Sequence, residues 1–457
     1  GAVKLYREDV LEIYDAYYEN RQYDHLHAWD TGPEYVPIRQ RRPRLIYNFP
    51  KVFSNRITSK LVGQSVWPTF KVEGDPDTDA FIRAILNFSH LNHRMLEPTR
   101  NLLISGSVFV RFYLSMGTLK VEHYNSKYVY PTFMENGELA FVRIQFVYED
   151  PTEEDPATKK KKQKWFRLDL GSESDTKYDN PEYVPNQSPQ FEIVEQVDHG
   201  LGFVQGEWFR TAYQKHSPDG PSLIADLLGF CDELNYSLSQ SSQAVSYNQD
   251  PQLIFKNMDE EDVAQLIRSS QKGWNIGKEG EASFLESSLN GVDKALEFRE
   301  RIKLGLQDIA RVILLDPEKI VAHAQSGKAM EVLHGPMVEL IDELRPIVEE
   351  RLVVLLQKMA LATLIYSERG IPLPFEIPKG YAPQSLQIQT IWPPIFPQTM
   401  EDLQKKVSIS SSATAANLIS RETALRWIAK DFGVEDIEAE IQKINTQPQF
   451  NPFGGGF

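Results

Sequence analysis

Residues 290–313, NGVDKALEFRERIKLGLQDIARVI, with EKIVAHAQS at 318–326 and the run that ends at Gly370, decide how the chain is read. Val292, Ala295, Phe298, Ile302, Leu306, Ile309 and Ile313 recur every three or four residues, so they share one helical face. Asn290 is a good N-cap, with Asp293 in the first turn. Asp316-Pro317 is expected to end this helix, because proline drives the residue before it out of the helical region. Residues 318–326 form a loop of mixed polarity. Ser326 caps a second, longer helix with apolar Met330, Leu333, Leu340, Leu344, Ile347, Val348, Leu352 and Leu355. Pro336 and Pro346 are expected to kink it, and Gly370 with Pro372 to close it.

At 457 residues the chain can bury more than one core. Hydrophobic residues at 41% and charged ones at 25% are ordinary for globular protein. No apolar run approaches the roughly 20 residues that a membrane span needs. Cys231 is the single cysteine, which excludes an internal disulfide. The net charge of −15 is the reverse of what a protein that grips DNA phosphates shows. Contact with nucleic acid would therefore run through small local basic patches, or let the polymer slide past.

Outward from the opening stretch, 5–20 is an amphipathic helix. A polar connector follows it and ends in Arg39, Arg41, Arg42 and Arg44. A helix is expected from Pro50 to Val62, and one or two more over 79–103 with Pro98 as a break. The pattern then turns to β. Segments 107–114, 119–124, 127–133 and 138–148 are rich in Val, Tyr, Phe and Ile, with turns at Met116-Gly117 and Glu135-Asn136-Gly137. Residues 149–164 read as a charged insertion whose lysines, 159–162 and Lys164, form a solvated loop tip. Strands resume at 165–170 and 191–197, and 171–190 reads as loop. Helix returns over 221–246. Strands at 252–256 and 283–285 flank a small helix at 259–269, a compact insertion between two long helices. A strand at 386–392 precedes a proline-rich connector. Residues 398–445 are helical, with a loop-like serine run at 408–412 and a start signal at Ser420-Arg421-Glu422-Thr423. This is a meander beside helices, an α+β pattern rather than regular βαβ alternation.

No enzymatic motif survives inspection. Gly327-Lys328 lacks the earlier glycine of a phosphate loop, where Ala322 stands, and the following Ser or Thr, where Ala329 stands. Gly200, Gly202 and Gly206 have the wrong spacing for a dinucleotide fingerprint and read as a turn. His90 and His93, and His25 and His27, lack partners at metal-ligand spacing and read as structural or solvated. No G-x-S-x-G nucleophile motif is present. No cofactor and no metal is expected. Arg39, Arg41, Arg42 and Arg44 remain as contacts to DNA or to an acidic neighbour, or as a solvated connector.

The order of the segments resembles the portal proteins of tailed double-stranded DNA bacteriophages. LIYNFPKVFSNRITSKLVGQ (45–64) resembles the family's early wing helix. GSVFVRFYLSMGTLKVEHYNSKYVYPTFMENGELAFVRIQF (106–146) resembles its wing strands. The helix from about 221 followed by PQLIFKN (251–257) resembles the first stem helix entering the clip. Residues 290–366 resemble the second stem helix, the tunnel loop and the long kinked helix. SISSSATAANLISRETALRWIAKDFGVEDIEAEIQKIN (408–445) resembles the crown. The likeness spans 44–445; segments 1–43 and 149–190 match no pattern of the family.

That resemblance implies wing 1–220, first stem helix 221–251, clip 252–289, second stem helix 290–315 and tunnel loop 316–326. It further implies a long kinked helix and wing strand over 327–397 and a crown over 398–447, while the glycine-rich tail over 448–457 is itself expected to be disordered. It implies a homo-oligomeric ring of about twelve copies at one capsid vertex of the virion, assembled in the host cytoplasm. Double-stranded DNA passes through without sequence specificity, and terminase motor, capsid and head–tail adaptor proteins dock on the ring. It implies no membrane partner and no catalysis. Lys319, Ile320, Val321, Ala322, His323, Ala324, Gln325, Ser326 and Lys328 would line the channel. Asp259, Glu260, Glu261, Asp262, Lys272, Lys278 and Glu279 would face the motor or adaptor. The rivals are another head–tail connector ring, usually shorter, and a packaging ATPase or nuclease, which stoichiometric ATP binding would favour.

Overall fold

The computed structural model describes residues 6–25, 42–115, 117–154, 159–249, 253–256, 281–284, 290–313, 331–377, 386–396, 400–432, 434 and 437–446. Two compact units emerge, one of residues 1–313 with 339–392 and one of 314–338 with 393–457.

The first unit opens with helices α1 (Arg7–Tyr18), α2 (Gln22–His25) and α3 (Phe49–Leu61). Asp9 reaches back to accept the Tyr6 N–H at 3.0 Å, and Asn48 accepts the Lys51 N–H at 3.1 Å, so both long helices start on side-chain caps. The short strand β1 (Thr69–Lys71) precedes α4 (Pro76–Ser89), α5 (Leu91–Arg94) and α6 (Leu96–Ser105). Asp75 caps α4 by accepting the Thr78 N–H at 3.0 Å. The break expected at Pro98 falls at His90 instead, whose φ of 51° is left-handed. Pro98 lies in the first turn of α6, where its missing N–H has no intrahelical role.

Gly106 closes α6 at φ 78°, and a Cβ there would lie 2.0 Å from the Gly220 carbonyl oxygen. Its own carbonyl takes the Thr211 N–H at 2.9 Å and the Gly220 N–H at 3.2 Å. The corner thus turns helix into sheet by direct backbone contact.

Strands β2 (Ser107–Ser115), β3 (Thr118–Asn125), β4 (Val129–Phe133), β5 (Leu139–Glu154), β6 (Lys161–Leu170), β7 (Ser174–Tyr178), β8 (Ile193–Asp198) and β9 (Gly206–Arg210) follow. They form two antiparallel sheets, ordered β3-β2-β9 and β4-β5-β6-β7-β8. Phe109 and Trp208 from the first sheet pack with Val142, Ile144 and Leu168 from the second in one core.

Three expectations fail here. The charged insertion is a long hairpin: acid-rich β5 runs to Glu154 and faces lysine-rich β6. The lysines of 161–164 are cross-strand partners rather than a loop tip, as Lys164 Nζ reaches Asp150 at 2.8 Å and Glu153 at 2.7 Å. Residues 174–178 are strand β7, not loop; SDTKY carries no apolar alternation because its pairing is by backbone and by buried Asp175. Strands β1 and β9 were not read from sequence at all. Gly200 and Gly202 do form the expected turn, at φ 53° and 79°, while Gly206 opens β9.

A 3-10 turn, Ala225–Leu227, leads into α7 (Leu228–Gln249). Then come the hairpin β10 (Leu253–Lys256) and β11 (Glu281–Phe284), helix α8 (Asn290–Ala310) and helix α9 (Gly335–Glu368). Helices α7 and α8 pack through buried Cys231, Leu234, Ile302, Leu306 and Ala310. The Phe230 ring lies over Gly305, where a Cβ would come within 3.0 Å of it. Helix α8 ends before the expected Asp316-Pro317. Arg311 adopts φ 53°, and the N–H groups of Arg311 and Val312 return to the carbonyls of Asp308 and Gln307.

Pro346 lies inside α9 as expected, but Pro336 lies in its first turn, after a break at His334. A proline there removes no helical hydrogen bond. Gly370 closes α9 at φ 74°, with its N–H and that of Ile371 returning to Ser367 and Tyr366. Leu344, Val348, Leu352, Leu355, Leu356 and Met359 are all buried. Strand β12 (Gln389–Ile391), shorter than expected, pairs antiparallel with β1.

The second unit contains α10 (Met400–Ala415), α11 (Arg421–Ile428) and α12 (Ile437–Thr446). Ser420 caps α11 through the Thr423 N–H at 3.0 Å, as its motif predicts. The serine run at 408–412 lies within α10, not in a loop. The Ser411 and Thr414 hydroxyls donate to the carbonyls of Ser408 and Ser410, both at 2.9 Å, and so are satisfied inside the helix.

Candidate functional site

The residues expected to line a channel (Lys319 to Ser326, and Lys328) lie outside the described residues, as do Asp259 to Glu279, Arg39 and Arg41. Their supports are described. The β10–β11 hairpin, in register Leu253↔Phe284 to Lys256↔Glu281, brackets segment 257–280. The helices that bracket the expected tunnel loop are α8 and α9. Arg42 pairs with the Asp24 carboxylate within the chain. The main-chain N–H groups of Arg44 and Leu45 both donate to Ser239 Oγ at 3.0 Å, and that of Tyr47 donates to Asn235 Oδ1 at 2.7 Å. Residues 44–47 are therefore strapped along α7 by their backbone.

What the sequence did not reveal is a set of buried polar joints that tie these elements to the sheets. Arg7 on α1 donates to Asp219 at 2.5 and 2.8 Å, to the Val129 carbonyl at 3.0 Å and to the Ser126 carbonyl at 3.0 Å. Ser107 completes this joint, donating to Asp219 at 2.5 Å. Asp232 on α7 accepts the Tyr17 and Tyr23 hydroxyls at 2.6 and 2.7 Å. Burial, reinforced by that carboxylate, holds both phenols well above their ordinary pKa. Lys127 donates to Glu12 and Asp15, at 3.1 and 2.5 Å. Burial pulls its pKa down, but the two carboxylates outweigh this and hold it above the usual lysine range.

The joint beneath the long helix is the most extensive. Glu207 on β9 is buried and accepts from Lys358 Nζ at 2.6 Å and from Arg351 Nη1 at 3.0 Å. Lys358 also reaches the Gly206 carbonyl at 3.1 Å. The Tyr366 hydroxyl donates to Gln205 Oε1 at 2.8 Å; burial, then Asp175, pushes that phenol up to about 12. Arg369 donates to the His199 carbonyl. Beside it, Arg111 bridges Glu122 and Asp175, both at 3.0 Å. His199 Nδ1 accepts the Leu201 N–H at 3.3 Å, and its Nε2 lies 3.4 Å from Asp175 Oδ1.

Most of these groups are held by one another, while His199 Nε2, Asp175 Oδ1 and Arg111 Nε are buried without a hydrogen-bond partner among the described residues. Burial also pushes the Cys231 thiol up to about 12, far from thiolate reactivity. His90, left-handed between α4 and α5, does not share a helical face with His93. Among the described residues no group of three or more His, Cys, Asp or Glu side chains is arranged to hold a metal. No described helix is long and apolar enough to cross a membrane. Buried charge is spent on joining helices to sheets, which defines a structural scaffold.

A family model described as "Phage portal protein, SPP1 Gp6-like" matches residues 4–449. The chain belongs to this family, and it is a portal, or head–tail connector, component of the virion. The match takes in residues 4–43 and the 149–190 hairpin region, both outside the resemblance drawn from sequence. No curated protein matches the chain. Among solved structures, a chain from the "Virion of native gene transfer agent (GTA) particle" is similar at 9% identity and TM-score 0.43, covering 83% of this chain and 89% of that one. A chain from the "Neck of empty GTA particle computed with C6 symmetry" is similar at 9% identity and TM-score 0.45, covering 83% and 90%.

Proposed function

We propose that the chain assembles as a closed ring of about twelve copies at one capsid vertex, where double-stranded DNA is packaged and ejected through the central channel. The terminase motor, the capsid and the head–tail adaptor dock on this ring, which forms in the host cytoplasm, and the chain itself catalyses nothing. The family match over 4–449 carries this reading. Charge supports it: at −15 per chain, about twelve copies would carry on the order of −180, facing a duplex with roughly one negative charge per 1.7 Å. Such a wall repels phosphates and lets the duplex slide.

The regions divide as wing, stem, clip, tunnel loop and crown along the boundaries given above. In the channel, the loop at 316–326 forms the narrowest collar, with Val321 and its aliphatic neighbours touching the duplex without gripping it. The acidic 259–279 segment meets the motor or adaptor. Native mass spectrometry and negative-stain imaging test the ring: closed rings are expected, and a monomer at all concentrations refutes it. Charge reversal at Glu260 and Glu261 is expected to weaken motor binding. Unchanged binding would remove the clip assignment while leaving the ring intact.

A further inference from the structure

We propose that the acidic edge strand β8 docks against the basic segment 42–62 of a second copy of this chain, and that repetition of this contact helps close the ring. The proposal rests on the ring reading above.

The two edges of the five-stranded sheet are treated differently. Edge strand β4 contains Pro131, which has no N–H to offer a further strand, and its Val129 carbonyl takes Arg7 Nη1 at 3.0 Å. Among the described residues, edge strand β8 pairs only with β7, and all six of its residues are exposed. A bulge at Val194 interrupts the alternation, so Ile193, opposite Tyr178, and Val197, opposite Asp175, face opposite ways. Ile193 is 61%, Val197 49% and Val194 63% exposed, so among the described residues neither face of β8 is covered. It carries neither proline nor lysine, the residues that usually blunt such an edge.

Charge identifies the occupant. Residues 171–198 hold seven Asp and Glu against one basic residue, Lys177. Residues 42–62 hold five Lys and Arg and no acidic residue at all. In a chain of net charge −15, copies repel at long range, so contact between them needs a local reversal of sign of this kind. The basic segment also offers apolar surface. Leu45 is 46% and Tyr47 37% exposed, and the strap's main-chain N–H groups are already occupied by α7. The contact is therefore made by side chains. Two different, complementary patches generate a head-to-tail interface, the kind that closes into rings.

The test uses the full chain in sedimentation velocity and native mass spectrometry over a range of concentration and salt. Glu192→Lys with Asp198→Lys reverses the strand while leaving Glu195, which faces Lys177 across the ladder, in place. Arg44→Glu with Lys51→Glu reverses the other side. Each pair is expected to raise the half-assembly concentration at least about tenfold, and all four changes together to bring it back to within about threefold of the parent. Far-UV circular dichroism and an unchanged unfolding midpoint show that each variant folds. Assembly unmoved by either pair, or no recovery in the fourfold variant, overturns this interface while the ring stands. A parent chain that never assembles overturns the ring and the interface together.

Discussion

Replacing Glu207 by Gln should loosen the long helix locally. The carboxylate is 6% exposed at its side chain and holds Lys358, 18% exposed, and Arg351, 34% exposed. Removing one member of a fully buried pair costs about 3–5 kcal/mol, because the other charge is left uncompensated. Here Lys358 keeps the Gly206 carbonyl and Arg351 is a third open to water, so about 2–3 kcal/mol is the expected loss. Amide exchange across 351–366 reads this directly, since global unfolding of so long a chain is not two-state. Exchange there should accelerate by roughly 30- to 150-fold, the Boltzmann factor of that energy. Lys358→Met alone should cost less, because Glu207 retains Arg351. The double variant should be clearly milder than the sum of the singles. Exchange within a factor of about two of the parent, or strictly additive effects, would refute the clamp.

Three further outcomes follow from local geometry. Gly106→Ala must fit a Cβ 2.0 Å from the Gly220 oxygen at φ 78°, so it should lose at least ~2 kcal/mol, seen as a lowered melting temperature or insoluble protein. Ser420→Ala removes the cap of α11 and should cost about 1 kcal/mol, seen as faster amide exchange in 421–428 with the first unit unaffected. Burial lowers the His123 pKa below its ordinary value. The unfolded chain then binds the proton more readily, so this contribution is complete above roughly pH 6.5 and is lost as pH falls through the lower folded value. His123→Gln should therefore flatten the fall in melting temperature between about pH 7 and 5.

What the sequence made legible followed from strong periodicity. The 3.6-residue pattern located α8 and α9, and Ser420 announced α11, because caps and apolar stripes are local signals. The strand SDTKY was missed because its stabilisation is not local: Asp175 is buried by Arg111, which lies far away in the chain. Ser408–Ser412 misled for a related reason, since hydroxyls that favour turns can equally bond back to a helix's own carbonyls. The end of α8 at Arg311 could not be foreseen, because an arginine gives no sign of adopting a left-handed conformation. The buried joints were equally invisible. Nothing in the letters at positions 7, 207 or 351 distinguishes an arginine or glutamate that pairs inside from one that faces water.

The contact between Gly106 and Gly220 has a structural consequence. Where two chain segments meet through side chains, their spacing drifts with every change of residue size. Here they meet main chain to main chain, the Gly220 N–H on the Gly106 carbonyl at 3.2 Å, with no room for a Cβ between them. The path from sheet to α7 therefore leaves from a fixed datum, insensitive to repacking of the apolar core beside it. In an assembly of identical copies, an angular error at that point would be repeated at every subunit and would prevent closure. A joint of main chain, braced by the Thr211 hydroxyl on the Gly106 and Pro221 carbonyls, keeps that error small.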